Sequence, residues 1–198
     1  MSSARLIVDI RGYWHPGGGR GGGKVIDAIA HRDSTGLPVL PGRHLKGLLR
    51  EACESAADWG WDGFTGLAER LFGERHRGGE SGTPAPGCLR IGDARLPAAV
   101  ADWLASDAGT ELQPGLFRPL HATAVEHDTG TAKERSLRGT EVVVPLCLEA
   151  EIRVLPGHTA PEDWRQRLEE LLPLIRAVGG RRSRGLGRAN LSLREGEA

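Results

Sequence analysis

The sequence lacks an excess of charge of either sign and lacks long apolar runs, and both shortages exclude classes of protein. Its 26 Lys and Arg residues equal its 26 Asp and Glu residues, so the chain does not coat nucleic acid by bulk charge, and any basic surface must be local. No stretch approaches the roughly 18 apolar residues that a membrane span needs, and residues 1–11 contain no apolar run of signal-peptide length. We therefore expect a cytoplasmic protein with no membrane partner.

Cysteine is also scarce. The three cysteines, Cys53, Cys88 and Cys147, are odd in number, far apart and set in apolar patterns, which favours buried thiols over disulfides or a zinc site. The chain has 198 residues, of which 39% are hydrophobic. This is enough for one well-cored domain.

The spacing of the apolar residues predicts an α+β fold. Alternating patterns predict strands, and spacings of three and four predict helices. The predicted strands cover 5–13, 88–96, 141–155 and 189–193, and Pro145 marks a bulge or a strand start. The first predicted helix begins after Pro41-Gly42, and two shorter ones cover 64–72 and 98–105. The last predicted helix runs from Pro161 to Gly179-Gly180. The charged segment 113–139 predicts a projecting hairpin, and 73–87 predicts a mobile loop. The order strand, helix, strand, strand, helix, strand indicates the ferredoxin-like, or split βαβ, fold.

The most informative segment is 179–188, which holds four glycines and four arginines in ten residues. Glycine lets backbone N–H groups approach a ligand, and arginine binds phosphate oxygens in pairs. The segment therefore predicts a polyanion ligand. The alternative is a solvated turn whose arginines form surface ion pairs.

A second basic group lies on the helix after Pro41-Gly42. Arg43, Lys46 and Arg50 are spaced i, i+3, i+7 and share one helical face, next to a helix N-terminus that we expect to be free for an anion. The alternative is the ordinary solvated face of an amphipathic helix.

A third segment, 17–24, nearly matches a phosphate-binding P-loop. Gly18, Gly23 and Lys24 have the required spacing, but Val25 replaces the Ser or Thr that would hold Mg²⁺. The segment favours a flexible glycine loop over a nucleotide hydrolase.

Six segments, in order, resemble the RAMP proteins of CRISPR type III effector complexes, especially the backbone subunit that polymerises along guide RNA. The family's Pro-Gly-x-x-Leu-Lys-Gly signature matches Pro41, Gly42, Leu45, Lys46 and Gly47. The other similar segments are TGLPVL at 35–40, LAERLFG at 67–73, IGDA at 91–94, TGTAKERSLR at 129–138 and GRRSRGLGR at 180–188. One departure is that Arg43 and His44 stand where small hydroxyl residues are common.

The resemblance implies an RRM-like RAMP domain over 1–198, with a thumb-like insertion at about 113–140 and a Gly-rich loop at 179–188. It implies binding of guide RNA and of complementary target RNA, and assembly with copies of itself and with other CRISPR effector subunits. The residues implied in RNA binding are Arg43, Lys46, Arg50, Arg181, Arg182, Ser183, Arg184 and Arg188.

The resemblance also implies a catalytic residue. In the backbone subunits that cleave target RNA, an aspartate lies between the first strand and the Pro-Gly helix, and the matching residue here is Asp27. A carboxylate there could bind a divalent metal, Mg or Mn, or take the 2′-hydroxyl proton; no other metal ligand is expected. The alternative is that Asp27 caps a turn. Asp33 is expected to be structural, because it precedes a Ser-Thr-Gly turn.

The segment 121–138 corresponds to the family's thumb, a hairpin that wedges into the guide–target duplex. His127, Lys133, Arg135 and Arg138 would contact the RNA backbone, and the wedge would use Leu137 or Val125 because aromatic residues are lacking there. His15, His31, His121 and His127 have no partners at spacings diagnostic of acid–base catalysis.

Two other functions stay open at this point. The chain could be a non-cleaving RAMP scaffold subunit of a type III or related complex, in which Asp27 only stabilises a loop. It could also be a guide-processing ribonuclease, which would release guides from repeat RNA unaided.

Overall fold

The computed structural model describes residues 3–17, 26–75 and 84–196, and a four-stranded antiparallel sheet is its central element. In chain order the elements are β1 (Ser3–Ile10), α1 (Gly42–Asp58), α2 (Leu67–Phe72), β2 (Leu89–Ile91), α3 (Ala98–Ala105), α4 (Asp107–Thr110), β3 (Phe117–Ala122), β4 (Arg138–Val143), β5 (Cys147–Val154), α5 (Trp164–Leu171) and β6 (Ala189–Glu195). Short 3-10 helices cover Gln113–Leu116, Leu172–Leu174 and Arg182–Arg184.

The central sheet has the strand order β2-β5-β1-β6, with every neighbouring pair antiparallel. This is the order of the ferredoxin-like fold, so the predicted fold class is confirmed. Leu6 of β1 lies opposite Ala150 and Leu193. Ala150 and Leu193 each lie between two polar residues, and the apolar face of the sheet packs against α1 and α5.

The core forms where the sequence pattern places it. In α1 the buried side chains include Leu45, Leu49 and Cys53, which recur every four residues. The apolar stripe predicted for the last helix is buried throughout, at Trp164, Leu168, Leu171, Leu172, Ile175 and Val178.

Burial raises the pKa of the Cys53 thiol to about 11, so this thiol stays protonated. Cys88 is buried as predicted, but Cys147 is exposed at the start of β5, and the prediction for it is wrong.

The long strand predicted over 141–155 is wrong, because the segment divides between two sheets. β4 pairs with β3 in a separate two-stranded sheet, while β5 pairs with β1 and β2. Pro145 lies at the break and has no N–H to donate to a strand ladder. Trp14 is fully buried and donates its indole N–H to the carbonyl of Val144 at 3.0 Å. This hydrogen bond fixes the place where the chain passes from the two-stranded sheet to the central sheet.

The last helix is shorter than predicted. α5 ends at Leu171, and the 3-10 helix Leu172–Leu174 follows before the backbone becomes extended at Ile175. Pro173 has no N–H to donate to the next helical hydrogen bond, so the α-helix ends just before it. The segment 179–188 therefore follows an extended stretch and not a helix end.

Two predicted segments lie wholly or partly outside the described residues. Of the segment 17–24, which nearly matches a P-loop, only Gly17 is among the described residues. Residues 76–83 of the predicted loop 73–87 also lie outside them. The two ends of that loop are joined, since Glu74 donates its backbone N–H to Ala85 at 2.9 Å. The strand predicted over 88–96 is regular only in β2, and beyond it Ala94 and Arg95 form single bridges to Leu40 and Glu149.

The hairpin β3–β4 carries its own loop, which is closed by a bridge between Val125 and Ala132. Most of its residues from 118 to 138 are exposed. Across the three described ranges, no helix is both long and apolar enough to span a membrane.

Candidate nucleic-acid interface

The N-terminus of α1 is closed by a carboxylate. Gly42 donates its backbone N–H to Asp93 Oδ1 at 2.9 Å. A Cβ on Gly42 would also lie 2.6 Å from the carbonyl oxygen of Gly92, so this contact requires glycine. The prediction of a free helix N-terminus for an anion is wrong, because Asp93 already occupies it. The Pro-Gly and Ile-Gly-Asp segments, distant in sequence, thus form one joint.

The three cations of α1 do not form one open face. Arg43 is exposed and Lys46 is partly exposed. The side chain of Arg50 is only 13% exposed, pairs with Glu54 at 2.8 Å and donates to the carbonyl of Gly73 at 2.6 Å. Arg50 therefore joins α1 to the end of α2. Of the three residues predicted to form a basic face on α1, Arg43 and Lys46 remain open to solvent.

The glycine-rich segment is braced against residues 13–15. Gly187 donates its N–H to the Tyr13 carbonyl and Gly180 donates to the His15 carbonyl, both at 2.8 Å. Gly179 has a φ of 82°, and a Cβ there would lie 2.6 Å from the His15 carbonyl oxygen. Gly187 has a φ of 75°, and a Cβ there would overlap the carbonyl oxygen of Val178. The segment is thus a fixed loop and not a loose turn.

This loop presents its charged side chains to solvent. Arg182, Ser183, Arg184 and Arg188 are exposed, and Arg181 is partly exposed with an αL backbone at φ 58°. Arg182 lies 3.6 Å from Glu51 Oε2, a long pair between exposed groups that contributes little stability. Within the described residues, Arg181, Arg184 and Arg188 have no ion-pair partner. Such free cations are suited to phosphate groups.

His44 connects α1 to the loop, a role that the sequence did not indicate. Its Nε2 accepts the backbone N–H of Gly179 at 2.8 Å. Burial lowers the pKa of His44, and the nearby Arg182 guanidinium lowers it further, while Glu51 opposes both. The imidazole is therefore held neutral, with its proton on Nδ1. The only sequence signal was that a histidine stands where small hydroxyl residues are common.

Asp27 lies at the base of the hairpin. Its backbone N–H donates to the carbonyl of Gly139 at 2.9 Å, and its Oδ2 accepts the N–H of Gly139 at 2.9 Å. The residue is exposed while Gly139 is buried. Its second carboxylate oxygen, Oδ1, has no hydrogen-bond partner among the described residues. One oxygen of Asp27 thus has a structural contact, and the other has no donor among residues 3–17, 26–75 and 84–196.

Glu141 fastens the segment after Asp27 to β4. Its Oε2 accepts the backbone N–H of Ala30 at 3.0 Å, and its Oε1 pairs with Arg32 at 2.8 Å. The Arg32 guanidinium stacks 3.7 Å from the centre of the Phe117 ring. His15, only 7% exposed, places Nδ1 2.8 Å from the backbone carbonyl of Glu141. These contacts hold the stretch around Asp27 in place, and the sequence did not predict them.

Asp33 makes the turn contacts expected of a structural residue. Its Oδ1 accepts the N–H groups of Thr35 and Leu37 and the Thr35 hydroxyl, while Oδ2 pairs with Arg95 at 3.0 Å. Burial would raise the pKa of Asp33, but these hydrogen bonds and Arg95 lower it overall. Arg95 also contacts Asp93 at 3.3 Å, which links this turn to the start of α1.

The hairpin exposes all the residues predicted to contact RNA there. His127, Lys133, Arg135 and Arg138 are exposed, and Arg135 has a φ of 57°. The candidate wedge residues are also exposed, Val125 at 67% and Leu137 at 65%. The hairpin therefore offers apolar and cationic groups in one projecting element. In the described part of the chain, no three His, Cys, Asp or Glu side chains lie close enough to hold a metal ion.

Comparisons with known proteins give a family and a fold. A family model described as the RAMP superfamily matches residues 9–190. A chain in the cryo-EM structure of the type III-B Cmr-beta bound to cognate target RNA is similar with a TM-score of 0.71 and 11% identity, over 98% of this chain and 97% of that chain. A chain of type III-B Cmr-beta in the apo state has a TM-score of 0.65 and 11% identity, over 97% of each chain. No curated protein sequence matches this chain.

Proposed function

The chain belongs to the RAMP superfamily, and from this we propose that it is a subunit of a CRISPR type III effector complex that binds guide RNA and cleaves complementary target RNA. The observation that carries the proposal is the fixed loop 179–188 beside α1, in which Arg181, Arg184 and Arg188 have no ion-pair partner among the described residues. The structural neighbours support it at the level of fold, since one of them comes from a complex bound to cognate target RNA.

Guide RNA binds through Arg181, Arg182, Ser183, Arg184 and Arg188, with Arg43 and Lys46 of α1 contributing further phosphate contacts. The loop is already fixed by the contacts of Gly179, Gly180 and Gly187, so little conformational entropy is lost when phosphates bind. Arg50 contributes indirectly, because it holds α1 in position.

The neutral net charge implies that the chain does not bind RNA tightly alone. In our proposal it assembles along the guide with copies of itself and with other effector subunits, each copy covering a fixed number of nucleotides. The exposed hairpin reaches into the guide–target duplex, where Leu137 or Val125 displaces a base pair and the cationic side chains contact the RNA backbone.

Cleavage follows from an RNA backbone flexed beside Asp27. The 2′-hydroxyl loses its proton to Asp27 as its oxygen attacks the adjacent phosphorus in line; the bond to the 5′-oxygen breaks, and that oxygen takes a proton from water. The Gly139 N–H orients the carboxylate through Oδ2 and leaves Oδ1 for the RNA. As the alternative to this base role, the same oxygen fits a divalent cation, Mg or Mn, which binds proteins through one or two carboxylates plus phosphates. Asp27 would hold it, and the ion would stabilise charge on the phosphate.

One observation favours the second candidate, a non-cleaving scaffold subunit. The contact between Asp27 Oδ2 and Gly139 is a sufficient structural role for this carboxylate. In that case the chain binds and positions RNA by the same surfaces, and no RNA is cut.

The test is to co-express the chain with its operon neighbours, sequence the bound RNA and supply complementary RNA with Mg²⁺ or Mn²⁺. We expect particles whose mass grows with guide length and that cut target RNA at regular intervals, while sparing DNA because it lacks the 2′-hydroxyl. A persistent 21.2 kDa monomer in the presence of guide and partners would refute the assembly. Target binding without cleavage would favour the scaffold, and release of guides from repeat RNA by the chain alone would favour a processing ribonuclease.

A further inference from the structure

A small cleft lies between the C-terminal half of α1 and the extended stretch after α5. Its volume is about 150 Å³, and its walls include Ser55, Trp59, Ile175, Arg176 and Arg182. Pockets for drug-sized ligands and cofactors span about 300–1,000 Å³. The cleft is therefore too small for a cofactor and is suited to a single planar ring or a short polar group.

Trp59 forms a fixed aromatic wall at the end of this cleft. It is 63% exposed although it is one of the largest side chains in the protein. Its ring centre lies 6.3 Å from that of Trp61, which packs edge-on at 5.8 Å against the buried Phe64. The core thus braces Trp59 while leaving much of its surface open. An exposed, braced aromatic ring can stack a flat ligand at a low entropic cost.

Arg176 supplies charge beside Trp59. It is exposed, and in the described ranges its guanidinium has neither an ion-pair nor a hydrogen-bond partner. Arg176 lines both this cleft and a second groove of about 730 Å³, which also contains Arg188 and Asn190. Arg182 of the fixed loop lies on the cleft as well. A continuous surface therefore runs from the loop arginines past Arg176 to Trp59.

We propose that Trp59 and Arg176 form a subsite for one nucleotide of single-stranded RNA, with the base stacked on Trp59 and its phosphate bound by Arg176. The proposal rests on the proposed function, because the RNA reaches this subsite from the loop 179–188. An aromatic ring next to a partner-free arginine is the combination that single-stranded nucleic acid requires. Among the described residues that line the cleft, Glu51 is the one acid, and Arg182 faces it at 3.6 Å. The charge that Arg176 adds to the cleft is therefore not neutralised by these residues.

The contributions of Trp59 and Arg176 to RNA binding can be distinguished by how the affinity depends on salt concentration. The full-length chain is titrated onto a fluorescent single-stranded oligouridylate at several NaCl concentrations. Trp59→Ala should lower the affinity by roughly ten-fold, the order of one base–aromatic stack, without changing the salt slope. Arg176→Ala should reduce that slope by about 0.7, the value of one phosphate contact on a single strand. Trp59→Phe should keep most of the affinity, because phenylalanine still stacks.

The matched controls are Trp103→Ala, which removes another exposed tryptophan (52% exposed) on α3, and Arg194→Ala, which removes an exposed arginine on β6. Both should bind RNA like the wild type. If the wild type and Trp59→Ala bind RNA with equal affinity, the proposed subsite is wrong. The proposed function would still be tested by variants of the arginines in the loop 179–188. The subsite would also be overturned if Trp59→Ala weakened only the assembly with partner subunits, since the occupant would then be a protein. Failure of the wild-type chain alone to bind the oligonucleotide would overturn the subsite, and the proposed function would still be tested by assembly on guide RNA with the partner subunits.

Discussion

His44 and Gly179 are 135 positions apart in sequence, and one hydrogen bond between them joins the first turn of α1 to the glycine-rich loop. The acceptor is a neutral imidazole and the donor is a buried backbone N–H. Gly179 is a buried residue, so leaving its N–H without an acceptor is costly. The loop is therefore coupled to the protonation state of His44.

The first prediction concerns pH. Because the pKa of His44 is lowered in the folded protein, its stabilising effect is present above the unfolded pKa of about 6.5 and is lost as pH falls through the folded value. Urea unfolding at pH 7.5 and at a series of lower pH values should show a declining free energy of unfolding. His44→Gln should flatten this decline, and His121→Gln, on the exposed hairpin, should leave it unchanged. A wild-type curve identical to that of His44→Gln would show that His44 does not contribute.

The second prediction concerns the loop. Replacing Arg181, Arg182 and Arg184 by alanine should weaken guide-RNA binding and reduce its salt slope by about 0.7 for each phosphate that is no longer bound. Far-UV circular dichroism should hardly change, since the glycines and not the arginines fix the loop.

The matched control for the loop variant replaces the same number of arginines on the sheet, Arg90, Arg153 and Arg194, which are exposed. This control should bind guide RNA with the wild-type slope. If both triple variants lose the same affinity, the effect is one of overall charge and the loop has no special role.

The third prediction separates the two roles of Asp27. Asp27→Asn keeps an oxygen that can accept the Gly139 N–H but removes the charge. We expect it to assemble and bind target RNA like the wild type while cleavage falls by about 10²-fold or more. Asp27→Ala should lose cleavage and also about 1–3 kcal/mol of stability, because the buried Gly139 N–H is left without a partner.

Thermal melts and cleavage assays on reconstituted complexes measure both effects. Asp33→Ala is the contrasting variant, expected to lower stability more than the cleavage rate because its contacts are confined to the turn and Arg95. Wild-type cleavage by the Asp27→Asn complex would leave Asp27 with its structural role alone.

The fourth prediction concerns the joint between α1 and the segment after β2. Asp93→Ala removes the acceptor of the Gly42 N–H and should cost about 0.5–2 kcal/mol, the usual range for removal of a helix cap. Asp93→Asn should cost less because an acceptor remains. Asp102→Ala, an exposed acid on α3, is the control for charge alone, and a melt of Asp93→Ala equal to that of this control would argue against the cap.

The sequence predicted correctly those helices and strands whose apolar spacing matches the set of residues buried in the fold. The helix after Pro41-Gly42, the strand β6 and the ferredoxin-like order all follow from apolar spacing, since the same residues that define the pattern fill the core. The break at Pro145 was not predicted, because a proline in an apolar run is compatible with a bulge as well as with a change of sheet. Only the distant contact from Trp14 decides between these outcomes.

The site could be predicted less completely than the fold. Sequence placed the arginines of 179–188 at an exposed loop, because charge density is a local property. Arg50 and Glu54 have the i,i+4 spacing of a helical ion pair, so their contact could have been predicted. The sequence could not show that Asp93 closes the helix start or that His44 holds Gly179. These pairs are 51 and 135 positions apart, and spacing along the chain carries no signal for them.

The crossing at residues 144–146 makes the length of the hairpin independent of the rest of the molecule. The chain leaves the two-stranded sheet and enters the central sheet there, so residues added in pairs, one to each arm of β3–β4, leave the register of β5 against β1 unchanged. Each pair would extend the arms by about 3.4 Å. The hairpin can therefore lengthen or shorten by insertion and deletion while the body keeps its fold, and its reach is a property that selection can adjust separately.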